Sequence, residues 1–482
     1  MKKTELVFIP LPGLSHLISA VEAAKLLLQR DHRLSITFVI IKFSNNNLVD
    51  AYTQDISSDP NPAISSIRII HLPYQEIVAS DTFLFDVIEN QIPRLRNVLS
   101  ELVQQSSARI AGIVVDMFCT KFVDVADEFG LPCYVFFTSS ASFFGLFSHL
   151  TSLKFEHNQQ LTQYNKSDAE LSVPCISIKV PATVLPAAMV TEGPLTELSF
   201  DCFKRYSRIK GVLVNTFYEL ESYAIRSLSN GKAPKLYPVG PILNLNHQFG
   251  SSKSQSGDDE IKKWLDLQPD SSVVFLCFGS RGTLEVPQLK EIASALERCG
   301  HGFLWSVRKP PPKGKVQLPT DYEDFDGILP EGFLERTKGR GKLIGWAPQI
   351  PVLSHVAVGG FVSHCGWNSI LESVWCGVPV ATFPLQAEQQ LNAFQLVKEF
   401  KMAEAIRVDY NKDYVGPQEE AEIVGSEEIE AAIRRLMEVD GNSGVREKVR
   451  KLQKESRMAV EEGGSSYNAQ ISFIEDVINN FG

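Results

Sequence analysis

Residues 359–383 read GGFVSHCGWNSILESVWCGVPVATF. GGFVSH is a short apolar run of strand type. The segment from Trp367 to Cys376 has helical spacing, and Gly377 with Pro379 stops it. PVATF then opens another strand. Strand, helix and strand in so little chain make a βαβ unit, which implies parallel pairing and a right-handed crossover.

The same alternation extends outward. SVVFLCFGS (272–280), FLWSV (303–307) and KLIGW (342–346) read as strands, with helices over 287–300, 386–399 and 427–438 and a polar helix pair from 442 to about 480. The first half repeats the pattern. ELVFIPL (5–11), LSITFVII (34–41), IRIIHL (67–72), GIVVD (112–116), CYVFF (133–137) and GVLVN (211–215) alternate with helical segments over 16–30, 83–104, 120–129 and 140–152. Between the halves, LNLNHQFGSSKSQSG has no periodicity and reads as a linker. The expected fold is α/β, with two Rossmann-like doubly wound parallel-sheet domains facing across a cleft. Expected boundaries are 1–241 and 259–455, a linker over 242–258, and a closing helix over 456–482 that packs back on the first domain. Ligands of such sheets bind beyond the carboxyl ends of the strands.

Net charge is -10 with no basic block, so a nucleic-acid partner is not expected. The eight cysteines form no C-x-x-C pair and mostly sit in apolar runs, which suits reduced thiols. No stretch approaches the ~18 apolar residues of a membrane span, and the N-terminus is not of signal-peptide type. A cytoplasmic monomer is expected.

His364 ends a strand, so it lies at the ligand edge. Gly366 permits a sharp turn. Asn368 and Ser369 open the next helix, where unpaired N–H groups and the helix dipole attract an anion such as a phosphate. Glu372 shares their helix face and suits sugar hydroxyls. The stretch alone also fits an ordinary helix capped by Asn368 or Ser369, with Trp367 as a core anchor. Its neighbours favour a binding site. Trp346, at the end of a strand and followed by Ala347 and Gln349, can stack on a flat base. Glu388 and Gln389, where a strand passes into a helix, can address several hydroxyls. Ser280 closes one more strand and adds a phosphate contact. G-x-x-x-x-G-K-[ST] and strand-linked G-x-G-x-x-G fingerprints are missing.

With these residues in place, the span from Trp346 to Gln389 resembles the signature box of plant UDP-sugar-dependent glycosyltransferases of small secondary metabolites. WAPQ, HCGWNS, Glu372, GVP and EQ fall at the box's spacing, and the likeness extends to PG-x-x-H and to Val114–Asp116. It is nearest the subgroup acting on flavonoids, other phenolics and terpenoids, and it implies the GT-B fold. The resemblance implies that Trp346 stacks on uracil and that the Ala347 main chain pairs with its edge. Gln349 and Glu372 would bind ribose. His364, Asn368, Ser369 and Ser280 would hold the pyrophosphate, and Trp367, Glu388 and Gln389 would touch the sugar. A Gln at the box's end favours UDP-glucose as donor.

In the first half, His16 opens a helix at the carboxyl end of the first strand and suits a general base near neutral pH. A surface histidine at a helix start is the plain alternative. Asp116 ends GIVVD at the same edge, and it fits either an orienting partner for His16 or an N-cap for the helix near Thr120. The resemblance assigns the pair as base and orienter, in an inverting transfer that needs no metal. Ser15 departs from the family's usual glycine. Leu14, Phe118, Phe143 and Phe144 are candidate walls of an acceptor pocket, and Phe147 is a further one. Phe/Leu stripes at helical spacing also suit plain core. Two rivals lack support: a glycosidase leaves the anion cradle and His16 unexplained, and an NAD-dependent oxidoreductase lacks its glycine motif. A non-catalytic UDP-sugar sensor would not need His16 and Asp116. Another UDP-sugar donor, or a carbon or nitrogen acceptor atom, is compatible with the same fold.

Overall fold

The computed structural model describes residues 3–42, 47–58, 64–74, 80–105, 108–230, 233–245, 252–312, 317–410, 422–438 and 444–479. Two parallel sheets organise them. The first contains β1 (Thr4–Ile9), β2 (Leu34–Ile40), β3 (Ile67–His71), β4 (Arg109–Asp116), β5 (Cys133–Phe137), β6 (Gly211–Val214) and β7 (Lys235–Pro238), in the order β3-β2-β1-β4-β5-β6-β7. The second contains β8 (Val273–Cys277), β9 (Gly302–Ser306), β10 (Gly341–Ile344), β11 (Val358–Ser363), β12 (Val380–Thr382) and β13 (Ala403–Ala405), in the order β10-β9-β8-β11-β12-β13. Strand order reverses between β1 and β4 in one sheet and between β8 and β11 in the other. These are the switch points at which doubly wound sheets open a crevice.

Each sheet is buried on both faces, because side chains alternate along a strand. Val7 and Ile9 enter one core of the first sheet, and Leu6 and Phe8 the opposite one. Val273 and Phe275 do the same against Val274 and Leu276 in the second.

The labelled helices are α1 (Leu14–Arg30), α2 (Ala141–Phe155), α3 (Tyr218–Ser229), α4 (Ser252–Asp266), α5 (Val286–Cys299), α6 (Trp367–Cys376), α7 (Gln389–Phe394), α8 (Ser426–Met437), α9 (Val445–Val460) and α10 (Ser465–Asn479). α7 carries Leu391 and Phe394 into the core of the first sheet. Phe473 of α10 meets Tyr134 and Tyr237 edge-on, at centroid distances of 5.2 and 5.3 Å. Arg30 of α1 donates to Gln470 Oε1 at 3.0 Å.

Two expectations change. The segment read as a linker is helical from Ser252, because Ile261 and Leu265, one turn apart in α4, are buried in the second domain. Residues 246–251 of that segment lie outside the described residues. The edge strands β7 and β13 were not foreseen. KLYP and AEA carry no apolar run, and they pair because a neighbouring strand offers its free edge.

Candidate active site

The β1–α1 turn carries the first half of the site. Gly13 caps α1 at φ 148°, a conformation for glycine, and places His16 in the first helical turn. Asp116, the last residue of β4, lies across the switch point. Its Oδ2 stands 2.8 Å from His16 Nδ1. Its Oδ1 accepts from the Phe118 N–H at 3.3 Å. Asp116 is 2% exposed, whereas 28% of the His16 side chain faces the cleft. With Nδ1–H donated to a carboxylate, the neutral imidazole keeps its lone pair on Nε2. Burial pulls the His16 pKa down, but the charge and hydrogen bond of Asp116 more than offset it, so the net shift is upward. Arg281 opposes and Glu388 adds to that shift. Both belong to the second domain, so its groups are felt at His16. The Thr138 hydroxyl lies 3.5 Å from His16 Nδ1.

Facing this, His364 follows β11 and packs between two strand–helix turns. A Cβ built on Gly279 would stand 2.6 Å from His364 Nε2, and one on Gly366 would stand 2.5 Å from it. The left-handed residue of the turn is Cys365, at φ 62°, and Gly366 has ordinary angles of -63° and 140°. Gly366 is therefore there for the close approach of His364, and the expectation of a glycine-made turn is corrected. Cys365 is held in place by its N–H to Ser363 Oγ at 3.1 Å and by Asn392 Nδ2 to its carbonyl at 3.0 Å. Burial lowers the His364 pKa to about 4, so the ring is neutral at pH 7. Gly366 is the N-cap of α6, and no side chain caps the helix. Asn368 and Ser369 are thus not capping residues, and the first-turn N–H groups point toward the cleft end of the helix. Ser280 lies half-buried in the turn after β8.

Gln349 Nε2 donates to Ser369 Oγ at 2.8 Å and to Glu372 Oε2 at 2.5 Å. Burial raises the Glu372 pKa to about 7, against the lowering effect of Gln349. Ala347 is buried, while Trp346 is 49% exposed, with the Arg308 guanidinium 5.4 Å from its ring centroid. Glu388 caps α7 after the left-handed Ala387, at φ 58°. Its Oε1 accepts weakly from Ser139 at 3.5 Å, and burial raises its pKa. Gln389 Oε1 is taken by the Leu385 and Gln386 N–H groups at 2.9 and 3.1 Å, which leaves its amide N–H groups for a ligand.

Four of the apolar candidates, Trp367, Phe143, Phe144 and Phe147, are buried. The Trp367 side chain is 3% exposed, and its N–H donates to the Asn215 carbonyl at 2.6 Å. The only polar atom of this side chain is thus spent across the domain seam. Phe144 and Phe147 are core residues, Phe144 tilted against Tyr206 and Phe147 stacked on Phe203. Phe143 is 4% exposed and packs edge-on against Phe147. Leu14 and Phe118 keep open surface beside His16 and Asp116. Sequence reading passed over Thr138 and Asn215, although both follow strands at the ligand edge. Arg281 and Arg308 carried no signal. Among the described residues, no cluster of three His, Cys, Asp or Glu is placed to hold a metal, and no helix is long and apolar enough to cross a membrane.

A family model described as UDP-glucoronosyl and UDP-glucosyl transferase matches residues 200–411. The chain is 47% identical to UDP-glucose flavonoid 3-O-glucosyltransferase 6 of Fragaria ananassa, over 99% of each chain. It is 46% identical to UDP-glycosyltransferase 71E1 of Stevia rebaudiana, again over 99% of each. Its fold is similar to the crystal structure of a UGT transferase from Siraitia grosvenorii in complex with UDP, with a TM-score of 0.89 and 45% identity over 99% of this chain and 100% of that one. Medicago truncatula UGT71G1 complexed with UDP-glucose gives a TM-score of 0.86 and 39% identity over 98% of each chain.

Proposed function

This chain belongs to the plant UDP-glycosyltransferase family, and from that premise we propose that it moves glucose from UDP-glucose, with inversion, to a hydroxyl of a flavonoid, other phenolic or terpenoid acceptor. The observation that carries this reading is the 2.8 Å His16–Asp116 pair, set at one switch point with the uncapped α6 N-terminus at the other. The acceptor hydroxyl gives its proton to His16 Nε2 and its oxygen bonds to the anomeric carbon. The bond from that carbon to the β-phosphate oxygen breaks on the opposite face, and its electron pair leaves with UDP. Asp116 stabilises the imidazolium that forms. The α6 N–H groups, neutral His364, Asn368, Ser369 and Ser280 stabilise the charge gathering on the diphosphate. Trp346 and the Ala347 main chain hold the base, and Gln349 and Glu372 hold the ribose. Glu388 and the free amide of Gln389 hold the sugar hydroxyls, and the resemblance, with Gln389 at the end of the box, favours glucose as that sugar.

Residues 1–241 serve the acceptor and 259–455 the donor, and α10 closes on the former. One chain carries both sets of residues, which supports action as a monomer. Its eight free thiols suit the cytoplasm. The test is UDP release from UDP-glucose with a flavonol, and NMR of the product's anomeric configuration. A β-glucoside is expected, and His16→Ala should slow turnover on the order of 10²–10⁴. Wild-type turnover in His16→Ala, or an α-glucoside, overturns the mechanism. Release of UDP without glycoside would favour hydrolysis.

A further inference from the structure

Asn215 follows β6 and is fully buried at the seam between the two sheets. Its carbonyl accepts from the Trp367 indole at 2.6 Å. Its side-chain Oδ1 accepts from the Ile242 N–H at 2.8 Å. Its Nδ2 is shared between the Ile242 carbonyl and Asn368 Oδ1, each at 3.4 Å. Asn368 Nδ2 in turn donates to Ser19 Oγ at 3.3 Å, and Ser19 lies one turn beyond His16 on α1. A Cβ on Gly240 would stand 2.5 Å from Asn215 Oδ1, so the crossing chain rests directly on this amide. The same crossing is held from outside by α10, through Gln470 Nε2 to the Val239 carbonyl at 2.8 Å and through Ser466 to the Gly240 carbonyl.

We propose that Asn215 is a positioning residue that orients the Asn368 amide for the donor diphosphate. The proposal rests on the reading of α6 as the diphosphate site. A primary amide can present either its N–H groups or its carbonyl to a ligand, and only the N–H groups attract an anion. By donating to Asn368 Oδ1, Asn215 turns the Asn368 carbonyl toward the first domain. The Asn368 nitrogen is then left with one N–H for Ser19 and one for the cleft. Without that donor, the flipped amide aims a carbonyl dipole at the phosphate. Through Ser19 the same contact ties the donor-facing amide to the helix that carries His16.

The experiment is UDP affinity by titration calorimetry on full-length wild type, Asn215→Ala, Asn368→Ala and the double variant, with thermal unfolding recorded for each. Loss of one hydrogen bond made through Asn368 should weaken UDP about tenfold in Asn215→Ala. The same substitution should change affinity less than about twofold in the Asn368→Ala background, because a residue acting through a partner has no effect once the partner is gone. KM for the acceptor should stay within twofold. Asn215→Asp keeps the acceptor for Ile242 but has no amide N–H for Asn368, and it should weaken UDP as alanine does. If Asn368→Ala binds UDP normally, the diphosphate reading of α6 fails. If Asn368→Ala is weak while Asn215→Ala is normal, or if the two losses multiply, only the present proposal is overturned. Failure of both Asn215 variants to fold would make Asn215 structural and overturn it as well.

Discussion

Gly366→Ala adds one methyl group at the N-cap of α6. That carbon would stand 2.5 Å from His364 Nε2, about 1 Å inside the usual contact distance of ~3.5 Å. The imidazole cannot retreat freely, because Gly279 closes the opposite turn at a similar approach. Overpacking of this kind costs about 1–3 kcal/mol. At about 2–4 °C per kcal/mol for a domain of this size, Tm should fall by roughly 2–12 °C. Alanine also caps a helix less well than glycine, and it stiffens the unfolded chain. Both effects are common to any background, so a cycle with His364→Ala removes them. In the His364→Ala background the methyl group meets no ring, and its cost should shrink by at least about 1 kcal/mol. The assay is thermal unfolding of the four proteins by circular dichroism, with KM for UDP-glucose from UDP release. KM should rise in Gly366→Ala, since the displaced ring loses its place at the diphosphate. An equal Tm drop in both backgrounds would falsify the packing argument, whatever happened to KM.

Asp116→Asn removes the charge that holds the His16 pKa up, leaving burial and Arg281 to pull it down against Glu388 alone. The base works only when neutral, so activity rises with pH through the His16 pKa. The acid limb of kcat/KM should therefore move to lower pH in the variant, while the plateau falls on the order of 10²–10⁴ because the imidazolium loses its partner. An unmoved acid limb in a pH–rate series would show that His16 does not set it. Burial pushes the Glu372 pKa up to about 7, and ribose hydroxyls donate best to its charged form. UDP-glucose affinity should thus climb between pH 6 and 8, and the climb should flatten in Glu372→Gln. The raised carboxyl also contributes stability to the free protein that is full below the ordinary carboxylate range and lost as pH rises through about 7. Glu372→Gln should remove that loss, so its Tm should gain on wild type as pH goes from 6 to 8.

Period and punctuation made the two sheets legible. Runs such as LSITFVI and VVFLC are long, β-branched and buried on both faces, so the sequence itself states the strand. The α6 limits were also readable, because a glycine stands at each end. The edge strands β7 and β13 were not, since AEA, for one, owes its pairing to β12 and not to its own side chains. The site divides in the same way. Residues at strand ends beside helix starts, such as His16, Asp116, His364 and Glu388, could be singled out because chain order alone puts them at the ligand edge. Phe143, Phe144 and Phe147 could not be sorted into wall or core, because helical spacing marks a buried face without saying what covers it.

The sequence by itself determined the two doubly wound domains and the set of polar groups offered at their carboxyl edges, because both follow from local periodicity and turn chemistry. The partnerships of those groups were decided by tertiary structure alone. His16 meets Asp116 because β1 pairs with β4 across a hundred residues, and Trp367 spends its N–H on Asn215 because the second domain docks on the first. Gly366 was read as the turn-maker, yet the left-handed residue is Cys365, and the glycine exists for the imidazole pressed against it. The His16–Asp116 and Trp367–Asn215 contacts, and the approach of Gly279 to His364, join segments far apart in the chain, which no local pattern encodes.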